Sequence, residues 1–330
     1  MKRIGIIGVG LLGSAVASRL LEGGFEVAGY DTRSDQVNAL QAKGLRPASS
    51  LAEAAADADA VFTILPSLES VEVTVIGAGG LIETAPPNCT IIQMSTISPE
   101  LTRRLGQAAA VKGLGFLDAP MSGTSAMVKR GDCAIFIEGD RARADACRSI
   151  FDAIAKKIIF VGEIGMASLA KLATNLLVGL NTAALAEAFV LGAKGGLAPS
   201  TLIEILKDSA ADSKMLEIRG PLMARHRFLP QMKIDLFLKD FRLMLGGRAS
   251  PRSSVAVDQH HAAVGYGYRR SRTRRRRSSR HFSDTGKACR IGRVSSTELT
   301  GHRSSKFQVQ SSKKNAVSST WNLRGTDPLP

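Results

Sequence analysis

RIGIIGVGLLGSAVASRL, residues 3–20, passes from a short apolar run into a helical one through Gly8, Gly10 and Gly13. The run before the glycines is apolar throughout, as a strand buried on both faces must be. The segment after them is rich in alanine and leucine and reads as a helix. In a G-x-G-x-x-G turn between strand and helix, Gly8 permits the tight turn, Gly10 lets a pyrophosphate approach closely, and Gly13 allows tight helix–strand packing. Phosphates then meet the unpaired N–H groups at the helix start. Asp31 ends the second apolar run, EVAGYD, 23 positions after Gly8. A carboxylate there accepts the ribose hydroxyls of an adenosine and repels a 2′-phosphate, which favours NAD. Arg33, two residues on, is placed to hold that phosphate instead, so NADP stays open.

Working outward, the runs RIGIIG, EVAGYD, DAVFTIL, CTIIQMS, GFLDAP, CAIFIEG and KIIFVG alternate with segments of helical composition. That alternation predicts a doubly wound α/β domain with a mostly parallel sheet over residues 1–163. From Gly165 to Lys194 the chain reads as one long helix stopped by Gly195 and Gly196. Its apolar stretch includes Asn175, Asn181, Thr182, Glu187 and Lys194, which marks a helix of a soluble protein rather than a membrane span. Pro199 and a capping box of Thr201 and Glu204 predict a further helix, and KIDLFLKDFRLML another. Residues 164–246 thus read as an interdomain helix and part of an all-α domain.

Charge is distributed unevenly. Residues 247–330 hold 18 of the 44 Lys and Arg but four of the 29 acidic residues, so nearly all of the formal +15 lies there. The body of the chain gives no electrostatic reason to expect a nucleic-acid partner. Its four cysteines form no C-x-x-C pair and have no histidine at metal-ligand spacing, consistent with free thiols in a reducing cytoplasm and with no metal site.

Further motifs follow strand ends, where an open parallel sheet places ligands. They are Leu65-Pro66, the S-T-I-S-P run containing Thr96, and Asp118-Ala119-Pro120-Met121-Ser122-Gly123-Thr124. In the last, Ser122 with the amides of Gly123 and Thr124 suits a small carboxylate nest. On the long helix Lys171 and Asn175 are four apart and share a face within an apolar sequence. A lysine among apolar neighbours has its charged form disfavoured and exchanges a proton nearer neutral pH.

These motifs, together with Leu238-Lys239-Asp240, occur in an order that resembles the β-hydroxyacid dehydrogenase family, which includes 3-hydroxyisobutyrate dehydrogenase and tartronate semialdehyde reductase. The resemblance covers residues 4 to about 245. It implies an NAD(P)-dependent oxidoreductase that moves a hydride reversibly between nicotinamide and the hydroxyl carbon of a small hydroxy acid or semialdehyde, commonly as a homo-oligomer. It also implies Lys171 as general acid/base, and Ser122, Gly123, Thr124, Asn175 and Lys239 around the substrate. Gly8, Gly10, Leu11, Leu12, Gly13, Asp31, Leu65, Pro66, Thr96 and Lys239 would line the cofactor. Leu12 and Val16 stand where the family usually has methionine, and Thr124 where it has a second glycine.

Beyond Gly246 the character changes. Residues 247–330 include 15 serines and three leucines, without the periodicity of a core, and YGYRRSRTRRRRSSRH at 266–281 carries eight arginines. A nucleic-acid-binding basic tail on a dehydrogenase-like body is one reading, and a solvated tail another. A third is translation out of frame from about residue 246, motivated by the abrupt change directly after an intact motif. With its second domain incomplete, such a chain would bind dinucleotide yet be impaired in catalysis.

Overall fold

The computed structural model describes residues 1–228 and 234–246. The Arg/Ser-rich segment and Cys289 lie outside the described residues. Nine strands form one sheet: β1 (Arg3–Ile7), β2 (Glu26–Tyr30), β3 (Arg46–Pro47), β4 (Ala60–Thr63), β5 (Thr90–Gln93), β6 (Gly115–Asp118), β7 (Met121–Ser122), β8 (Ala134–Gly139) and β9 (Lys157–Gly162). The helices of this half are α1 (Leu11–Glu22), α2 (Ser34–Gln41), α3 (Leu51–Ala55), α4 (Leu68–Ile76), α5 (Leu81–Thr84), α6 (Pro99–Val111), α7 (Ser125–Lys129), α8 (Arg141–Ala146) and α9 (Arg148–Ile154). Strand order is β3-β2-β1-β4-β5-β6-β8-β7, with β9 paired to β8. The first six in that order are mutually parallel, while β8 runs antiparallel to β6 and β7.

Both faces of the sheet are covered, as its uninterrupted apolar strands require. Ile4, Ile6, Phe62, Ile92 and Leu117 pack with Leu20 of α1 and Phe151 of α9 on one face. Ile7, Val61, Ile91 and Phe116 pack with Val75 of α4 and Leu105 of α6 on the other. This is the doubly wound α/β architecture expected from the alternating runs. Burial pushes the Cys89 thiol up to about 12 and that of Cys147 up to about 11, so both stay as unreactive thiols at neutral pH.

The second half is helical: α10 (Met166–Lys194), α11 (Pro199–Lys207), α12 (Lys214–Ala224) and α13 (Ile234–Met244). Among the described residues α10 is the one helix long and apolar enough to cross a membrane. Here its first turns pack on β8, β9 and α6, and α11, α12 and α13 lie against it. Glycine ends it as expected, through Gly195. The expected capping box at Thr201 is corrected: α11 starts at Pro199 with Ala198 as N-cap, so Thr201 lies inside the first turn. Proline at N1 has its φ preset for the helix, and its missing N–H is one of the first-turn donors that would have no partner, so the helix starts two residues before Thr201.

Phe62 is fully buried at the centre of the sheet. We predict that Phe62→Ala lowers the unfolding free energy by about 3–5 kcal/mol in urea denaturation. A loss below about 1 kcal/mol would mean that this core does not carry the fold.

Candidate functional site

The carboxyl ends of β1, β4 and β5 and the start of α10 meet at one edge of the sheet. At the first of these the three glycines differ. Gly8 has φ +96°, and a Cβ there would lie 2.3 Å from the Ile64 carbonyl oxygen. At Gly13 a Cβ would lie 1.9 Å from the carbonyl oxygen of Gly8, so helix and turn touch through backbone alone. At Gly10 the neighbourhood is open, with only an Arg33 guanidinium nitrogen at 3.8 Å. Gly10 is also the N-cap of α1 and offers no side chain to the first-turn N–H groups. Two glycines therefore build the turn, and the third leaves room before unpaired donors, which fits a pyrophosphate.

Asp31 is nearly buried beside this turn. Its carboxylate accepts from the Val9 N–H at 2.8 Å and the Arg33 N–H at 2.9 Å. The Arg33 guanidinium stands 3.6 Å from the same carboxylate but is largely exposed. A cleft of about 260 Å³ opens next to Asp31, lined among others by Tyr30, Thr32, Val37, Asn38 and Ala48. Its place beyond β2 suits the adenosine half of a dinucleotide. Leu11 is exposed at the start of α1, whereas Leu12 packs against the core.

The loops after β4 and β5 are tied to each other. The Leu65 N–H donates to Ser95 Oγ at 2.8 Å, and Ser67 opens α4 with a reciprocal capping box to Ser70. Pro66 is thus held between a loop–loop hydrogen bond and a helix cap. Nothing local singles out Ser95, because a serine in S-T-I-S-P reads as a helix cap. Only the fold brings it to Leu65, 30 positions earlier.

Lys171 and Asn175 lie on successive turns of α10. The Asn175 side-chain amide donates to Asp240 Oδ2 at 2.7 Å, and Asp240 Oδ1 accepts from the Lys239 ammonium at 2.8 Å. Lys239 also donates to the Thr96 carbonyl oxygen. One buried carboxylate on α13 thereby joins α10 to the loop after β5. Surrounding protein disfavours the Lys171 ammonium and pushes its pKa down to about 8, with Asp240 opposing the shift and Lys239 adding to it. Asp240 ends the L-K-D motif, where sequence reading assigns it no role of its own. Its one signal there is an acid beside a lysine on an amphipathic helix.

Ser122 and Gly123 lie at and just after β7, the short edge strand against which α10 passes. A Cβ at Gly123 would come within 2.9 Å of Cys133 Cβ, so this bend requires glycine. Thr124 is the N-cap of α7, and its hydroxyl accepts from the Met127 N–H at 3.4 Å. The structure thus engages the Thr124 side chain with α7. The substitution for glycine has a local reason, since a threonine hydroxyl caps and a glycine does not.

Comparison with known proteins places this geometry. The family described as the NAD binding domain of 6-phosphogluconate dehydrogenase matches residues 3–162. A second, described as NAD-binding of NADP-dependent 3-hydroxyisobutyrate dehydrogenase, matches residues 165–261. The 2-(hydroxymethyl)glutarate dehydrogenase of Eubacterium barkeri is 34% identical over 244 residues, 74% of this chain and 81% of its own length. The 3-hydroxyisobutyrate dehydrogenase of Pseudomonas aeruginosa is 30% identical over 264 residues, 78% of this chain and 89% of its own. Among solved structures, the Mycobacterium tuberculosis 3-hydroxyisobutyrate dehydrogenase with L-serine aligns with a TM-score of 0.73 at 27% identity, over 81% of this chain and 94% of its own.

The contrast between the glycines predicts two phenotypes. Gly13→Ala should lose about 2 kcal/mol or more of stability through overpacking, measured by denaturant unfolding. Gly10→Ala should keep stability within about 1 kcal/mol while weakening dinucleotide binding at least roughly tenfold, or about 1.4 kcal/mol. Unchanged binding in Gly10→Ala would place the phosphates elsewhere.

Proposed function

The chain belongs to the 3-hydroxyisobutyrate dehydrogenase family of NAD(P)-dependent hydroxyacid dehydrogenases, and on that premise we propose that Lys171 carries the proton of the reaction. The observation behind this is its position: Lys171 lies one turn before Asn175 and close enough to feel Asp240 and Lys239, which tie α10 to the loop after β5, and burial pushes its pKa down to about 8. When bound, the nicotinamide accepts or returns a hydride. During oxidation neutral Lys171 accepts the proton of the substrate hydroxyl, and in the reverse direction its charged form gives that proton back.

The neighbouring groups orient. Asn175 gives one amide hydrogen to Asp240, which leaves its carbonyl and remaining N–H to serve the substrate hydroxyl. Lys239 gives two of its three donors to Thr96 and Asp240 and keeps one for the nicotinamide and substrate side. Ser122 and Gly123, with the Thr124 amide, hold the substrate carboxylate. Leu65, Pro66 and Thr96 border the nicotinamide half, and Gly8, Gly10, Leu11, Leu12 and Gly13 the pyrophosphate. These placements let a small hydroxy acid be fixed at both ends before the proton moves, the condition under which orientation lowers the barrier.

For the cofactor we read NAD over NADP. Asp31 presents a fixed negative charge at the ribose, while Arg33 is drawn toward that same carboxylate. The description that names NADP belongs to a family matched over residues 165–261, away from Asp31. A homo-oligomer, expected where the all-α domain is complete, would cover Leu177, Val190 and Leu191, which stand exposed on α10. The cytoplasm is the compartment that suits three buried free thiols among the described residues.

Lys171→Ala should reduce kcat for hydroxy-acid oxidation by roughly 10²- to 10⁴-fold with dinucleotide affinity retained. In the parent enzyme kcat/KM for oxidation should rise with pH through about 8, because the neutral amine is the active form, and reduction should fall over the same range. Activity that survives the substitution would end the assignment of Lys171. A second assay compares coenzymes: kcat/KM with NAD should exceed that with NADP by at least about tenfold, or 1.4 kcal/mol. Equal or reversed preference would give the ribose site to Arg33.

A further inference from the structure

Beneath the start of α10 lie two acids that the proposed chemistry does not use. Asp118 ends β6 and Glu138 lies near the end of β8, and the two are directly opposed in the antiparallel ladder. Both are completely buried. Cross-strand partners point to the same face a few ångströms apart, so two carboxylates there would repel each other without water between them.

Their remaining contacts distinguish them. Glu138 Oε1 accepts from the Gly165 N–H at 2.5 Å, and Oε2 accepts from the Ala167 N–H. These donors open a helix of 29 residues, whose positive end favours an ionised carboxylate. Asp118 has no such donors. It accepts from the Gln93 side-chain amide at 2.9 Å and is bonded to the Ser168 hydroxyl at 2.6 Å. Ser168 in turn meets Thr102 Oγ1 of α6 at 2.8 Å.

We propose that Asp118 and Glu138 share a single proton, and that this one-proton pair fixes the first turn of α10 and so positions Lys171 one turn further on. Asp118 carries the proton and directs it to ionised Glu138, which holds the helix start by its backbone. Ser168, three residues before Lys171, is held from the other side by Asp118 and Thr102. Burial and the charge of Glu138 both hold the Asp118 carboxyl well above the usual range, and burial raises Glu138 against the pull of the helix N–H groups. The sign is that of a raised carboxyl: the stability is present below its ordinary pKa and is lost as pH rises through the folded value.

The neighbours of the pair are hydrogen-bond donors and one guanidinium. β5 contributes the Gln93 amide, β9 brings Gly162 opposite Glu138, and α10 brings Ser168 and its first N–H groups. α6 contributes the Thr102 hydroxyl and the Arg103 guanidinium, which lies close to Gly165. Lys171 itself answers electrostatically to Asp240 and Lys239. Asp118 and Glu138 are therefore positioning residues, acting through the helix and not on the substrate.

The proposal rests on the reading of Lys171 as the proton carrier, and two measurements on the full chain separate them. Infrared spectroscopy of the unsubstituted protein at neutral pH should show a protonated carboxyl carbonyl band that Asp118→Asn removes. No such band in the unsubstituted protein overturns the shared proton, whatever Lys171 does. Glu138→Gln should lower kcat by roughly ten- to a hundredfold, leave NADH affinity within about twofold, and displace the pH midpoint of oxidation. Wild-type kcat and pH midpoint in folded Glu138→Gln overturn the positioning role. Should that variant fail to fold, Ser168→Ala, which loosens the same turn from the Asp118 side, must show a kcat loss in the same direction. Wild-type turnover and pH midpoint there overturn the role equally. A Lys171→Ala enzyme that stays active would instead sink the proton-carrier reading and leave the infrared result standing.

Discussion

An ammonium ion surrounded by protein loses most of its hydration, and it stays charged at neutral pH only if a nearby carboxylate restores part of that loss. At the junction of sheet and helices Asp240 supplies the opposing charge for Lys171, and it is also the bond that closes the site. Its two oxygens accept from Asn175 on α10 and Lys239 on α13, and Lys239 reaches on to the Thr96 carbonyl. Burial lowers the affinity of Lys171 for its proton, and the field of Asp240 raises it. The result near 8 suits the proposed role, in which one side chain both takes and returns a proton at physiological pH.

That balance depends on where α10 is held. The glycine-rich turn fixes the cofactor side through backbone contact, with Gly13 against the Gly8 carbonyl. The loops after β4 and β5 are joined by Ser95 and Leu65. The Asp118–Glu138 pair holds the beginning of α10, and Asp240 holds it again at Asn175. Lys171 lies between these two attachments, so its position relative to the strand ends is set by buried hydrogen bonds rather than by exposed ion pairs, which contribute little. This explains how one long helix serves both as the link between the two halves and, on the proposed reading, as the carrier of the reactive group.

Much of this was legible in the sequence because it is local. The strand–glycine–helix order of residues 3–20, the acid at Asp31 and the Lys171–Asn175 spacing lie within short windows, and the fold places each as those windows imply. The second half was less legible. α12 went unread because Pro221 lies inside it and its apolar residues form no stripe. The short strands β3 and β7 are too brief for alternation to register. Thr201 and Glu204 have the spacing of a capping box, but Pro199 starts the helix first. Asp240 and Glu138 carry no role of their own in the sequence, since their partners are 65 and 27 or more positions away. Only the packed sheet and helices make them buried.

The charge state of Lys171 decides whether this chemistry can run near neutral pH. It is read out by titrating the lysine itself, followed by NMR of the lysine side-chain resonances and assigned with Lys171→Arg. The expected midpoint is about 8, moving lower in Asp240→Asn as the opposing charge is removed. A midpoint near the ordinary lysine value of about 10.4, unmoved by Asp240→Asn, would contradict the proton-carrier role.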